Sequence, residues 1–312
     1  EQLILVPHCD LHKFPLHALF NLVDEESTEL GDDSYDIFIT RNSSRFAISY
    51  LPSAYTGLSL AVSNNLSNNG NVRQQHLLSV ENLENAEKTP LKFAKIESEV
   101  ISGMFDKSTR LEGLEVTKTD LENALFSQRC NIFHFCGYAT DNPNQPYESE
   151  LVLSQSENLM FRDMCEYPLG NYSLFTISAT KHSSKNNQSI NSEYIELASI
   201  LLTQGVNQVV SGKWTVDSVA TTLVMIEFYR QLQSEPSPIK ALSEATKWLQ
   251  ELNVLELKKW YEELLHQLPP EAMRIKAHLA TLLYKIGKED PYKQPYNHPY
   301  YWAAFNISGR FD

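Results

Sequence analysis

The sequence predicts an α/β protein: an open, mostly parallel central sheet, helices on both faces, and a helical pair inserted before the last strand. Three observations predict it. Short apolar runs of strand length alternate with segments whose apolar residues recur every three or four positions. One run, Leu174 to Thr180 in N-Y-S-L-F-T-I-S-A-T-K-H-S, is too short for a helix and stops in small and polar residues. That pattern is a buried strand opening onto a loop, and chemistry in open α/β sheets collects outside such carboxyl ends. From about Glu251 to Lys288, Leu255, Trp260, Leu264, Leu268, Ala277, Leu279 and Leu282 sit among charges at helical spacing, with a break at Pro269-Pro270.

The elements follow in order. Leu3 to Pro7 is an apolar first strand, and Arg45 to Leu51 and Gly57 to Val62 are two more. Asn64 to Asn71, rich in Asn, Ser and Gly, is a loop. Pro90 opens a helix whose Phe93, Ile96, Val100, Ile101 and Met104 form one buried face, and Gly103 and the polar run after Asp106 end it. Thr117 with Asp120 three places on is an N-cap before Leu121, Ala124 and Leu125. Asn131 to Gly137 is a strand, and Leu151 to Ser154 with Asn158 to Phe161 a hairpin. A polar loop from Lys181 to Ser192 leads to a helix from about Glu193 to Gln204, capped by Gly205. Val206 to Ser211 is a strand, and Ser218 to Leu232 and Ile239 to Leu249 are helices parted by Pro236 and Pro238. Tyr301 to Ser308 closes the sheet. The helical pair is either a surface element or a partner-binding arm, since an apolar face says only that something covers it.

Composition narrows the function. The chain has 312 residues, 42% hydrophobic and 11% aromatic, enough for a packed core. Its net charge of -13, without a basic stripe, argues against nucleic acid. No apolar run reaches the length of a membrane span, and the start E-Q-L-I-L-V-P-H has no signal-peptide pattern. A chain opening directly on a strand is expected to be a piece of a longer protein. The cysteines Cys9, Cys130, Cys136 and Cys165 form no C-x-x-C pair, so we expect free thiols in a reducing cytoplasm, with Cys130 and Cys136 buried. His8, His12 and His17 have no compact metal-ligand spacing, and no G-x-G-x-x-G or G-x-x-x-x-G-K occurs. No cofactor and no metal are expected.

Leu3-Ile4-Leu5-Val6-Pro7-His8 followed by Phe14-Pro15-Leu16-His17-Ala18-Leu19 resembles the opening of CHAT domains, caspase-like peptidase domains often attached to TPR repeats. Ile132-Phe133-His134-Phe135, Ile177-Ser178-Ala179, Val209-Val210-Ser211 with Trp214, Val216 and Asp217, Phe228-Tyr229, and His298 to Phe305 resemble further family stretches in the same order. The resemblance implies a caspase-like fold and, in active members, a Cys-His dyad. Here the family's histidine place falls on Tyr138 and the glycine after it on Ala139. Its cysteine place falls on Thr180, and the acidic, small and glycine places beyond fall on Lys181, His182 and Ser183.

A threonine hydroxyl is a weak nucleophile without a strong base, and tyrosine titrates near 10. We therefore expect a catalytically inactive pseudo-protease that binds a protein or peptide, such as an active protease or a TPR region, with no nucleic acid and no membrane. Tyr138 and Thr180 are its degenerate dyad positions, flanked by His134, Ser178, Lys181 and Asp217. One alternative is an active cysteine endopeptidase with a relocated dyad, Cys136 as nucleophile and His182 as base. Each lies two residues from a lost position, and residues two apart on a strand share a face. The other is a structural module of a TPR-containing protein.

Overall fold

The computed structural model describes residues 2–20, 46–67, 74–81, 92–113, 116–140, 142, 145–153, 157–182, 193–268, 270 and 272–310. The Asn-rich stretch beyond residue 67, Pro90 and the polar stretch 183–192 lie outside these residues. Among the described residues ten strands form one sheet: β1 (Gln2–Leu5), β2 (Ala47–Tyr50), β3 (His76–Glu81), β4 (Lys107–Leu111), β5 (Ile132–Thr140), β6 (Glu150–Val152), β7 (Asn158–Met160), β8 (Leu174–His182), β9 (Gln208–Gly212) and β10 (Phe305–Gly309). Their order is β1-β2-β10-β9-β8-β5-β3-β4, with the β6–β7 hairpin on the end of β5. Neighbours are parallel except for β10 on β9 and the hairpin pairings.

Helices cover both faces. On one lie α1 (Ala54–Ser67), α3 (Lys118–Phe126), the short α4 (Phe161–Met164) and α5 (Glu193–Thr203). They bury Leu60, Leu121, Leu125, Phe161, Leu197 and Leu201 against Phe133, Phe135, Phe175 and Ile177. On the other lie α2 (Lys92–Gly103), α6 (Ser218–Leu232), α7 (Pro238–Glu251), α8 (Val254–Gln267), α9 (Met273–Ile286) and the one-turn α10 (Pro299–Trp302), over Leu77, Ile132, Leu174 and Val210. Strand residues alternate between the two clusters, as the two-residue period of a pleat requires. The continuous apolar runs of β5 and β8 therefore reflect burial on both faces.

Local chemistry sets the helix ends. Thr117 accepts from the Asp120 amide at 3.0 Å, and the Asp120 carboxylate accepts from the Thr117 amide at 3.0 Å, closing a capping box. Thr117→Ala is expected to lower stability by about 1 kcal/mol, read as a lower urea midpoint at unchanged slope. Gly205, at φ +96°, ends α5. Its amide reaches the Leu202 carbonyl at 3.1 Å and the Val206 amide reaches Leu201 at 3.1 Å, a Schellman ending. Asn253 and Glu256 box the start of α8.

Several expectations need correction. Gly57 to Val62, expected as a strand, lies inside α1. Ser53 Oγ accepts the Thr56 amide at 3.1 Å and starts a helix there. Gly57 serves close packing, because a Cβ there would stand 2.6 Å from Leu51 Cδ1. β3 and β4 are strands where none was expected. β4, K-S-T-R-L, is an edge strand whose first two residues are exposed, so it has no apolar pattern to read. Tyr301 and Trp302 belong to α10: Pro299 occupies its first turn and His298 Nδ1 accepts the Tyr300 amide at 3.1 Å. The last strand starts only at Phe305. β5 and β8 run on to Thr140 and His182, three and two residues past their expected ends. The expected pair of helices before the last strand is α8 and α9, packed on each other and on the core.

Candidate functional site

β5 and β8 lie side by side and parallel, so residues at equal depth face each other. The register pairs Cys136 with Ser178, Tyr138 with Thr180, Ala139 with Lys181 and Thr140 with His182. The two positions where the family resemblance sets histidine and cysteine are thus direct neighbours at the carboxyl ends of adjacent strands. Tyr138 is buried, which raises its phenol above the ordinary tyrosine value.

The register does not bring Cys136 and His182 together. His182 lies four residues beyond the partner of Cys136, or about 13 Å along the strand. The Cys136 thiol points into the protein, its Sγ donating to the Ala94 carbonyl of α2 at 3.3 Å. Burial pushes this thiol well above its ordinary value, and the Glu97 and Glu81 carboxylates push it further. A thiol in that setting is a small apolar side chain rather than a nucleophile. Cys130 is buried too, Cys9 exposed and Cys165 half-buried, all four as free thiols. Treating the native chain with iodoacetamide near neutral pH is therefore expected to modify Cys9 first and to leave Cys130 and Cys136 untouched until unfolding. Peptide mapping by mass spectrometry reads this directly, and early alkylation of Cys136 would contradict its placement.

His134, two residues earlier on β5, is completely buried. Its Nδ1 stands 2.7 Å from Thr176 Oγ1 on β8, and its Nε2 stands 3.3 Å from Glu97 Oε1 on α2. Thr176 Oγ1 also meets the Tyr229 hydroxyl of α6 at 2.7 Å and donates to the Phe133 carbonyl at 3.2 Å. Thr222 of α6 donates to Glu97 Oε2 at 2.8 Å. Hydroxyl, imidazole and carboxylate stand in the order of a catalytic triad, but Thr176 and His134 are 0% and Glu97 2% exposed. No substrate reaches them. What the group can do is tie β5, β8, α2 and α6 together immediately beneath Cys136 and Tyr138.

A second polar row crosses the sheet one step nearer its end. Glu81 at the end of β3 pairs with Cys136 and, through it, with Ser178. Burial raises the Glu81 carboxyl above its usual range, opposed by Arg110, whose Nη2 lies 3.2 Å away. Ser178 is buried. Asp217 is occupied as the N-cap of α6, accepting from the Val219 amide at 3.0 Å and the Ala220 amide at 3.3 Å. Lys181 is placed by its backbone beside Ala139. Glu81, Glu97, Thr176, Thr222 and Tyr229 escaped the sequence reading. A signal did exist, since Glu97 falls on the apolar face of α2, four residues after Phe93, where only a partnered carboxylate is tolerated. Among the described residues no group of three or more His, Cys, Asp or Glu side chains is placed to hold a metal ion. No helix among them is long and apolar enough to cross a membrane.

An open, mostly parallel sheet between two helical layers, with two central strands ending side by side, defines a three-layer α/β protein. The CHAT domain family model matches residues 1–310, and the chain belongs to that family. Among solved structures it is similar to a complex of Porphyromonas gingivalis RgpB pro- and mature domains. That match has 9% identity and a TM-score of 0.42, and covers 85% of this chain and 55% of the other. The chain thus spans little more than half the length of that neighbour. No curated protein matches.

Proposed function

We propose that this CHAT domain is a catalytically inactive pseudo-protease. In this reading it acts as a protein-binding module whose crevice between the ends of β5 and β8 receives a peptide segment or a companion subunit. The observation that supports it is the facing pair Tyr138 and Thr180, a phenol and an alcohol where active relatives need imidazole and thiol. Neither is matched to abstracting or losing a proton at neutral pH, and burial moves Tyr138 further from that task. The partner is a protein, either an active protease that this domain regulates or a TPR region. The reading with Cys136 and His182 as a relocated dyad has no support from the sealed thiol or the strand register.

Incubating the full chain and its Cys136→Ala variant with a proteome-derived peptide mixture near neutral pH tests this. The expected result is no new termini with either protein, and retention of a subset of peptides on immobilised chain. Retention is expected to fall with Tyr138→Ala. Cleavage that disappears in Cys136→Ala would overturn the proposal. Absence of both cleavage and retention would leave the domain a structural module.

A further inference from the structure

Helices α8 and α9 form one insertion, yet their solvent faces differ. The outer face of α8 carries Glu256, Lys258, Lys259, Glu262 and Glu263 around one exposed apolar residue, Leu255, and includes the i,i+4 pair Lys258–Glu262 at 3.9 Å. That is an ordinary solvated helix surface. α9 already buries one apolar face, with Ile275 and Leu279 in the core and Leu282, Leu283 and Ile286 packed against it. Its opposite face carries a second stripe: Met273, Ala277, Ala280, Thr281 and Tyr284, all exposed. At about 100° per residue these positions fall on one line along the helix. Met273 is 70% and Tyr284 69% exposed, large for apolar groups on a helix with a solvated neighbour.

The charges on α9 itself are of one sign, with acidic residues only beyond its ends at Glu271, Glu289 and Asp290. Residues 272–288 hold Arg274, Lys276, Lys285 and Lys288 and no Asp or Glu, in a chain of net charge -13. Lys276 falls on one flank of the stripe and Lys285 on the other, and Lys288 Nζ lies 4.2 Å from the centre of the Tyr284 ring. His278 of α9 packs edge-on against Phe93 at 5.4 Å between ring centres, and the next residue, Ala94, receives the Cys136 thiol.

We infer that the outer face of α9 is a docking surface for an acidic amphipathic helix of a partner protein. Small residues at Ala277, Ala280 and Thr281 admit a second helix at the close spacing of packed helices. Met273 and Tyr284 give it an anchor at each end, and the flanking lysines select glutamate or aspartate beside its apolar stripe. A second copy of α9 is a poor occupant, because the pairing would set lysines against lysines. A lipid surface is a poor one too, because the bulky apolar side chains of α9 are turned inward and its outer stripe is mostly small. The inference rests on the reading of the domain as a protein-binding module and names the chemistry of its partner.

The test uses the full chain and two fluorescent helical peptides of about 18 residues, a little longer than α9. Both present a leucine and alanine face, one flanked by glutamate and the other by lysine. The expected result is an anisotropy rise with the glutamate peptide only, weakened by added salt. Ala277→Glu and Ala280→Glu should each weaken it about tenfold or more at an unchanged melting temperature. Equal binding of both peptides, binding of neither, or binding indifferent to both substitutions would overturn it. So would co-sedimentation with phosphatidylglycerol vesicles, or self-association, if Ala277→Glu abolished it. Retention of peptides by the β5–β8 crevice is scored on the same protein. Loss of α9 binding with crevice retention intact removes only this inference, whereas loss of both removes the module reading as well.

Discussion

Truncating Glu97 to alanine is expected to destabilise the fold by about 3 kcal/mol, the largest single loss of any polar substitution considered. The carboxylate is buried between His134 Nε2 at 3.3 Å and the Thr222 hydroxyl at 2.8 Å. Removing it takes the carboxylate from beside the buried His134 ring and leaves the Thr222 hydroxyl only the Phe93 carbonyl at 3.5 Å, in an interior where an unmet polar group costs more than the bond contributed. Glu97→Gln, which keeps an oxygen for Thr222, is expected to cost less than half as much. Chemical denaturation of Glu97→Ala, His134→Ala and the double variant forms a cycle. Because the two side chains share one contact, the double variant should lose clearly less than the sum of the singles. Additive losses, or a Glu97→Ala cost below about 1 kcal/mol, would mean that the group does not act as a unit. Peptide retention by the crevice reports the positional role separately, because the same group holds β5 and β8 under Tyr138 and Thr180.

Replacing Lys213 by methionine is expected to do the opposite and stabilise the protein. Lys213 follows β9 and is 3% exposed, its Nζ donating to the His12 carbonyl at 2.9 Å and lying 4.6 Å over the Tyr50 ring. Burial pushes its ammonium down to about 8. Its charge and burial together hold the adjacent His17 down to about 3, burial being the larger cause. The folded chain releases the Lys213 proton near pH 8 while the unfolded chain keeps it to about 10.5. Between those values the unfolded state binds more protons, so stability rises with pH. The full span corresponds to about 3 kcal/mol, lacking at neutral pH and regained on going alkaline. Buried and half-buried thiols act the other way over the same range: Cys130, Cys136 and Cys165 keep their protons in the folded chain beyond the ordinary thiol value near 8.5, and tyrosines follow near 10, so both lower stability as pH rises. The Lys213 contribution is therefore read as the difference between wild type and Lys213→Met, which carry the same cysteines and tyrosines. Lys213→Met should have the higher urea midpoint at neutral pH, and its advantage should shrink between about pH 8 and 10. An advantage that is absent at neutral pH, or that does not shrink over that window, would contradict the placement of this amine.

β5 and β8 were legible because burial on both faces makes a short, mostly apolar run, and few other elements look like that. α3 and α5 were legible for a different reason: Thr117 with Asp120, and Gly205, carry their cap chemistry in the residue type, whereas the cap role of Asp217 on α6 emerged only in the structure. α1 misled because Leu58, Leu60 and Val62 alternate as a strand would, while the deciding contact is a side-chain cap at Ser53. β4 was invisible because an edge strand has no second face to bury. The buried group was half visible. His134 stood out within its strand, but its partners come from residues 42, 37 and 95 positions away on β8, α2 and α6.

From the order of residues alone came the layered α/β class and the family, together with the proposal that tyrosine and threonine stand at the two dyad positions. Those depend on local periodicity and on residue identity. Only the folded chain decided that Tyr138 and Thr180 stand at paired positions of neighbouring strands, that the Cys136 thiol turns inward to a helix carbonyl, and that His134 lies beside Glu97 and Thr176. Each of these is a relation between distant segments, set by strand register and by which helix lies above. No local pattern carries that information.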